Sequence, residues 1–256
     1  MEDRQHRLWS GVVRACVHGF RALGLDVGQI LREAGIPASV LEHPDARVPV
    51  ADAARLWPAA QAQWGRAGLG LRCGAAVPFG EMGVFDYLIA SAPTLGQGLA
   101  AAAAASTLLS AGLTRLEFER DVRGHGHLRH VGPFPLQVRD FSAAALTARV
   151  RQCGAKPTTV ALVGPPLAPP EAYRSVLGVT PHFHVERGAI VLRAEDLDRE
   201  LPNRGLRGLA PILDREVQRL VNDAGPEDIT ALVRQTITCA LPSGTPALGE
   251  VAHRLG

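Results

Sequence analysis

Leu113-Thr114-Arg115-Leu116-Glu117-Phe118-Glu119-Arg120 is the stretch whose reading decides the fold. Leu113, Arg115, Glu117 and Glu119 alternate with Thr114, Leu116, Phe118 and Arg120, the period of two expected of a strand wet on one side. Just upstream, Thr94 and Gln97 form a capping-box pattern at the head of an alanine-rich helix. There Leu95, Leu99, Ala102, Ala103, Ser106, Leu109 and Leu113 lie close to a single stripe. The apolar period therefore changes at Leu113 from helix to strand.

Working downstream, Gly124 separates this strand from a second at 125–131. A helix follows at 141–153, then an uncharged strand at 158–163, expected to lie inside its sheet, and a helix at 171–177. Residues 182–186 and 189–193 read as a hairpin turning at Arg187-Gly188. Upstream, Leu8, Trp9, Val12, Val13, Cys16, Val17, Phe20 and Leu23 trace one face of an opening helix. Asp26 caps a helix at 27–34 that Gly35 stops, 36–41 is a short helical turn, and further helices are expected at 50–64 and near 84–90. The fold class is α+β: a helical N-terminal part packed on a small mixed sheet with the order ββαβαββ.

Residues 196–207 are polar and contain Pro202, Asn203 and Gly205, so a boundary is placed there, followed by a connecting helix at 209–221. In the last stretch, Ile229, Leu232, Val233, Thr236, Ile237 and Ala240 recur at helical steps. Pro242, Ser243 and Gly244 break that helix. Thr245 and Pro246 suit the start of a final helix carrying Leu248, Val251, Ala252 and Leu255. The expected units are 1–200, a linker with the connecting helix at 201–225, and a terminal helical unit at 226–256.

Composition excludes several classes. The chain has 256 residues, 46% of them hydrophobic and 20% charged, as in an ordinary soluble protein. A net charge of +2 does not argue for a polyanionic partner, and the terminal unit sets Arg234 and Arg254 against Glu227, Asp228 and Glu250. Cys16, Cys73, Cys153 and Cys239 are far apart, and the charged N-terminus lacks a signal pattern, so a reduced cytoplasm is the expected location. The alanine-rich window 98–113 falls short of the roughly 20 residues a bilayer span needs, so no membrane partner is expected.

Enzymatic motifs are missing too: there is no Gly-x-Ser-x-Gly elbow, and no Gly-Lys-Ser/Thr follows Gly65, Gly68, Gly70 and Gly74. The sharpest metal alternative is a pair of His-x-His motifs, His125/His127 and His182/His184. Each pair would share a strand face, and on neighbouring strands the four imidazoles could enclose Zn²⁺. No carboxylate or cysteine shares that spacing, so no enzyme, no metal and no cofactor is expected. A binding pocket is expected between the N-terminal helices and the sheet, with Trp57, Phe85, Tyr87, Phe118 and His127 as candidate ligand contacts. Arg72 or Arg139 would supply charge for an acidic ligand.

Leu241-Pro242-Ser243-Gly244-Thr245-Pro246-Ala247-Leu248-Gly249-Glu250-Val251-Ala252-His253-Arg254-Leu255-Gly256 resembles the opening of the first helix-turn-helix of AraC/XylS-type transcription regulators. The Ser-rich recognition helix that follows the Leu-Gly pair in that family is not present. Further matches run in order upstream: Gly24-Leu25-Asp26, Ala34-Gly35-Ile36, Pro44-Asp45-Ala46-Arg47-Val48-Pro49, Gly70-Leu71-Arg72, Ser91-Ala92-Pro93-Thr94-Leu95-Gly96, and Tyr173 with Phe183 and Leu197. These resemble the branch whose N-terminal module is labelled an arabinose-binding domain.

The resemblance implies a small-molecule sensing and dimerising unit at 1–200 that controls a DNA-binding domain begun at 226–256. In it Thr245, Pro246 and Arg254 would meet DNA, and the small-molecule effector is left open. It also implies a homodimer, and little specific DNA binding by these residues alone. A stand-alone ligand-binding or dimerisation module is the alternative, and the zinc enzyme a third.

Overall fold

The computed structural model describes residues 7–43, 45–110, 113–202 and 208–223. The terminal helices expected at 226–240 and 245–255, and with them Thr245, Pro246 and Arg254, lie outside the described residues.

The chain opens with a correction. Leu8 and Trp9 are not helical but belong to β1 (Arg7–Trp9), which pairs antiparallel with β2 (Arg47–Pro49). The backbone N–H of Ser10 donates to Ala46 O at 2.8 Å, and its hydroxyl donates to His43 O at 3.0 Å, so the start of α1 (Ser10–Ala22) is held by the loop before β2. Capping sets α2 (Val27–Ala34) as expected: Asp26 accepts from the Gln29 N–H, and Gly35 ends the helix at φ 73°, a left-handed position that costs glycine no Cβ clash. A 3-10 turn at Ala38–Leu41 leads through β2 to α3 (Val50–Trp64).

Next come α4 (Leu69–Ala76), α5 (Val84–Ser91) and α6 (Leu95–Ala105). Thr94 accepts from the Gln97 N–H at the head of α6. The helix stops earlier than its apolar stripe suggests, because the Ser106 hydroxyl donates to Ala103 O at 2.6 Å and accepts from the Leu116 N–H at 2.7 Å. That side chain supplies the backbone with local partners, and 106–109 tighten into a 3-10 turn.

The sheet has the order β3-β4-β7-β5-β6, made of β3 (Arg115–Arg120), β4 (Gly126–Val131), β5 (Thr159–Leu162), β6 (His182–Phe183) and β7 (Ala189–Leu192). With α7 (Leu136–Gln152) and α8 (Pro170–Leu177), its chain order is the expected ββαβαββ. The β3–β4 turn is tied by Asp121, whose Oδ1 accepts the N–H groups of Arg123 and His125, and closed by Gly124 at φ 78°. The hairpin expected at Arg187-Gly188 does not form. β6 pairs parallel with β5, and β7 pairs antiparallel with the other edge of β5. A turn signal shows where the chain reverses, but pairing went to the longer apolar strand, and His184 at φ 58° carries the chain away.

Two apolar clusters result. Phe20, Ile30, Leu56 and Trp57 centre one among α1, α2 and α3; Leu99, Leu128, Leu192 and Tyr173 centre the other between α5, α6, α7 and the sheet. β4, β5 and β7 turn even-numbered residues inward, with Leu128, Val160, Leu162, Ile190 and Leu192 all buried. The polar stretch after 193 is drawn into this core, as the short helix α9 (Ala194–Asp198) buries Leu197 and the following Leu201 is buried too. Finally α10 (Ala210–Asp223) lays Leu213, Val217 and Leu220 on the same cluster and touches α5. Among the described residues no helix is long and apolar enough to cross a membrane.

The two clusters are joined by α4, packed between α1 and α7. A Cβ added at Gly70 would collide with Gln137 O, and one at Gly74 with Phe141 O, both on the backbone of α7. A helical glycine replaced by alanine ordinarily gains up to ~1 kcal/mol of helix propensity. Here the obstacle is backbone that cannot rotate away, so Gly70→Ala and Gly74→Ala are expected to lower stability by about 1–3 kcal/mol, read as a lower urea midpoint.

Candidate functional site

Where the two clusters face each other they leave a cavity of about 190 Å³. Val13 of α1, Trp57 of α3, Phe85 of α5, Ala102 of α6, Leu116 of β3 and Phe141 of α7 each contribute to its wall. A cavity of roughly 150 Å³ holds benzene, while drug-sized pockets run to about 300–1,000 Å³, so this space suits a small molecule. A second cavity of about 60 Å³ adjoins it, sharing His130, Phe134, Ser142 and Leu146 as lining.

The main charged element of the wall is a buried ion pair. Arg149 donates Nε–H to Asp86 Oδ1 at 2.8 Å and Nη2–H to Oδ2 at 3.1 Å, and further N–H groups to the carbonyls of Val77 and Pro78, both at 3.0 Å. Asp86 Oδ2 also accepts the N–H groups of Gly80 and Met82. With side chains only 3% and 2% exposed, both ions are saturated by the protein itself. Ser106 and Ser110 likewise line the cavity but are engaged with the backbone at Ala103, Leu116 and Thr114.

His130 is different. Its ring stacks on Phe134 with centroids 4.3 Å apart and an interplanar angle of 11°. The buried Nδ1 has no hydrogen-bond partner among the described residues, and burial lowers the imidazole pKa to about 4, keeping the ring neutral. The nearby Ser142 hydroxyl makes no hydrogen bond either. Cys16 also borders the cavity, but burial pushes its thiol up to about 12, which leaves no nucleophilic thiolate.

Of the residues anticipated as ligand contacts, Trp57 and Phe85 line the cavity. Trp57 is held edge-on between Phe20 at 5.4 Å and Phe141 at 5.6 Å, and Phe85 lies 5.9 Å from Trp9. Tyr87, two residues along α5, instead meets Phe79 edge-on at 5.3 Å outside the cavity. Phe118 packs on the core at the far end of β3, and His127 faces outward, its Nε2 3.3 Å from Asp121 Oδ2. The ring that reaches the cavity is His130, three residues on and of opposite strand parity; the signal was a histidine on the same face as Leu128.

Neither anticipated arginine offers a free charge to the cavity. Arg72 is exposed and does not line it. Arg139 is buried and donates to Asp140, Val163 O and Pro165 O. Asp140 in turn accepts from the Tyr173 hydroxyl at 2.6 Å. The two His-x-His pairs do not converge, because β7 and β5 separate β4 from β6. Among the described residues no three His, Cys, Asp or Glu side chains are placed to hold a metal ion.

Residues 24–201 match the family model described as the arabinose-binding domain of AraC transcription regulator, N-terminal. Among solved structures, the transcriptional regulator CdpR from Pseudomonas aeruginosa is similar in fold, with a TM-score of 0.52 and 16% identity, covering 96% of this chain and 75% of that one. At that identity the likeness concerns the fold alone. No curated protein matches the chain.

Replacing Arg149 by Met would strand Asp86 without its counter-ion. A loss of about 3–5 kcal/mol is expected in urea denaturation, and the double replacement Asp86→Leu/Arg149→Met should recover much of it. His130 gives a pH signature. Between pH 6.5 and about 4 the unfolded chain takes up a proton that the folded ring refuses, so stability falls as pH falls through that window. The contribution is at most about 3 kcal/mol. Denaturation at pH 7.5 and 4.5 should therefore show a shallower pH dependence for His130→Phe than for the wild type.

Proposed function

Given that the chain belongs to the family of AraC transcription regulators with an N-terminal arabinose-binding domain, we propose that it is the sensing part of a ligand-responsive regulator whose effector sits in the cavity between helices and sheet. The observation that carries this reading is the cavity itself: preformed, apolar, of small-molecule size, and bounded by both clusters so that its occupant touches each. On this reading residues 1–200 sense and dimerise, 201–225 connect, and 226–256 begin the DNA-binding domain. Thr245, Pro246 and Arg254 face DNA in a homodimer.

A route from the cavity to the connector runs through α5. Its Phe85 and Ile89 face the cavity, and α10 packs against the same helix. Leu213 and Leu220 hold α10 there, each burial worth about 1.5–3 kcal/mol. Arg219 adds an ion pair to Asp45 at 2.7 Å. Driving a two-state element from 1:99 to 99:1 takes about 5.5 kcal/mol, the same scale as this docking. An effector that favours one placement of α5 thus biases whether α10 stays docked.

A stand-alone ligand-binding or dimerisation module is the second reading. The docking of α10 into the main core, like any other helix of the body, favours it.

The test is a thermal-shift screen of the protein against amino acids, carboxylates, sugars, alcohols and phenols. A ligand at 100 times its Kd adds about 2.7 kcal/mol, roughly 5–10 °C for a chain of this size. Ala102→Leu, which fills the cavity from α6, is expected to abolish that shift. A shift unchanged in Ala102→Leu would place the ligand elsewhere and overturn the proposal.

A further inference from the structure

The chemistry of the wall restricts what the cavity can take. Four arginines border the two cavities, and the charge of each is paired. Arg149 is saturated by Asp86 and two carbonyls, Arg139 is held by Asp140 and two carbonyls, Arg129 pairs with Glu119 at 2.7 Å, and Arg115, at the rim, pairs with Glu117 at 2.6 Å. Asp86, the carboxylate of the wall, is equally committed. An anionic or cationic ligand would enter without a counter-ion and carry the desolvation cost of an unpaired buried charge. A sugar fares no better, since each hydroxyl left without a partner there costs about 1–3 kcal/mol.

Two polar groups on the wall shared by both cavities remain unused, while a third, the Nε–H of Arg129, borders the smaller cavity alone. Among the described residues, the buried Nδ1 of His130 has no partner and the Ser142 hydroxyl makes no hydrogen bond. Both line the main cavity and the smaller one beside it, so they stand where the two spaces meet. Phe134 stacks on the imidazole and fixes its plane. A neutral imidazole presents one donor and one acceptor, and a serine hydroxyl presents both, a set that complements a single alcohol or phenol group.

We propose that the effector is an uncharged, mostly apolar small molecule bearing one hydrogen-bonding group, with a hydroxyl as the simplest case, and that His130 and Ser142 hold this group at the junction of the two cavities. This rests on the cavity being the effector site. Its apolar remainder lies against Trp57, Phe85 and Phe141, and burial of that part supplies most of the affinity. His130 and Ser142 select among apolar molecules, because a ligand without a polar group leaves both unsatisfied.

The test uses isothermal titration of the protein with octan-1-ol, octanoate and octylammonium, and with propylbenzene as a probe lacking any hydrogen-bonding group. Octan-1-ol is expected to bind about tenfold or more tightly than either ion. His130→Phe, which keeps the ring and removes both nitrogens, and Ser142→Ala should each weaken octan-1-ol about threefold to tenfold while leaving propylbenzene unchanged. Ser142→Ala keeps the test decisive should His130→Phe fail to fold. Octanoate or octylammonium binding as tightly as the alcohol, in a manner abolished by Ala102→Leu, would overturn the neutral-ligand inference while leaving the cavity as the site. Unchanged alcohol affinity in both variants would overturn the anchoring roles. Failure of all four probes to bind folded protein would remove the effector-site reading and this inference with it.

Discussion

The bidentate pair between Asp86 and Arg149 is the contact on which the rest of the molecule leans. It fastens α5 to α7, and through the carbonyls of Val77 and Pro78 and the N–H groups of Gly80 and Met82 it fastens the loop between α4 and α5 to both. A buried pair of this kind gives little net stability over an apolar substitute. What it gives is register, since both ions are satisfied in one arrangement and strongly penalised in others. In this protein that register sets the distance between two helices whose inner faces bound the cavity.

The second constraint is how closely α4 approaches its neighbours. Gly19 of α1 lies against Cys73 of α4, and Gly70 and Gly74 of α4 lie against the backbone of α7. These contacts draw the N-terminal cluster onto the sheet-side cluster, and the cavity lies between residues of α3, α5 and β3. The void follows from two rigid clusters joined through a seam of small residues, which large side chains such as Trp57 and Phe141 partly fill but do not close.

Part of the cavity wall is legible in the sequence, and the rest is hidden for identifiable reasons. A pocket between helices and sheet, with Trp57 and Phe85 in it, follows from placing large apolar residues where unlike elements meet. Tyr87 and Phe118 meet the same criterion, yet the turn of α5 and the length of β3 put them beyond the cavity. His127 is the histidine expected in the pocket, but it and His130 differ in parity in a strand where histidines occupy both faces, and the apolar neighbour Leu128 marks the inner one. No sequence pattern gives away that Arg139 and Arg149 spend their charge on carbonyls and carboxylates of their own chain.

Periodicity and local chemistry determined the elements: the switch from helical spacing to alternation at Leu113, the caps at Asp26, Gly35 and Thr94, and the ββαβαββ order. These depend on contacts within a few residues, which the sequence states directly. Tertiary structure alone decided the partners. β5 took β6 and β7 on opposite edges, Leu8 and Trp9 left the helix to pair with β2, and α9 and α10 sank into the core. The reason is that strand pairing and burial are competitions among distant segments. Their outcome depends on how much apolar surface each pairing removes from water, a sum over the whole molecule that no single stretch contains.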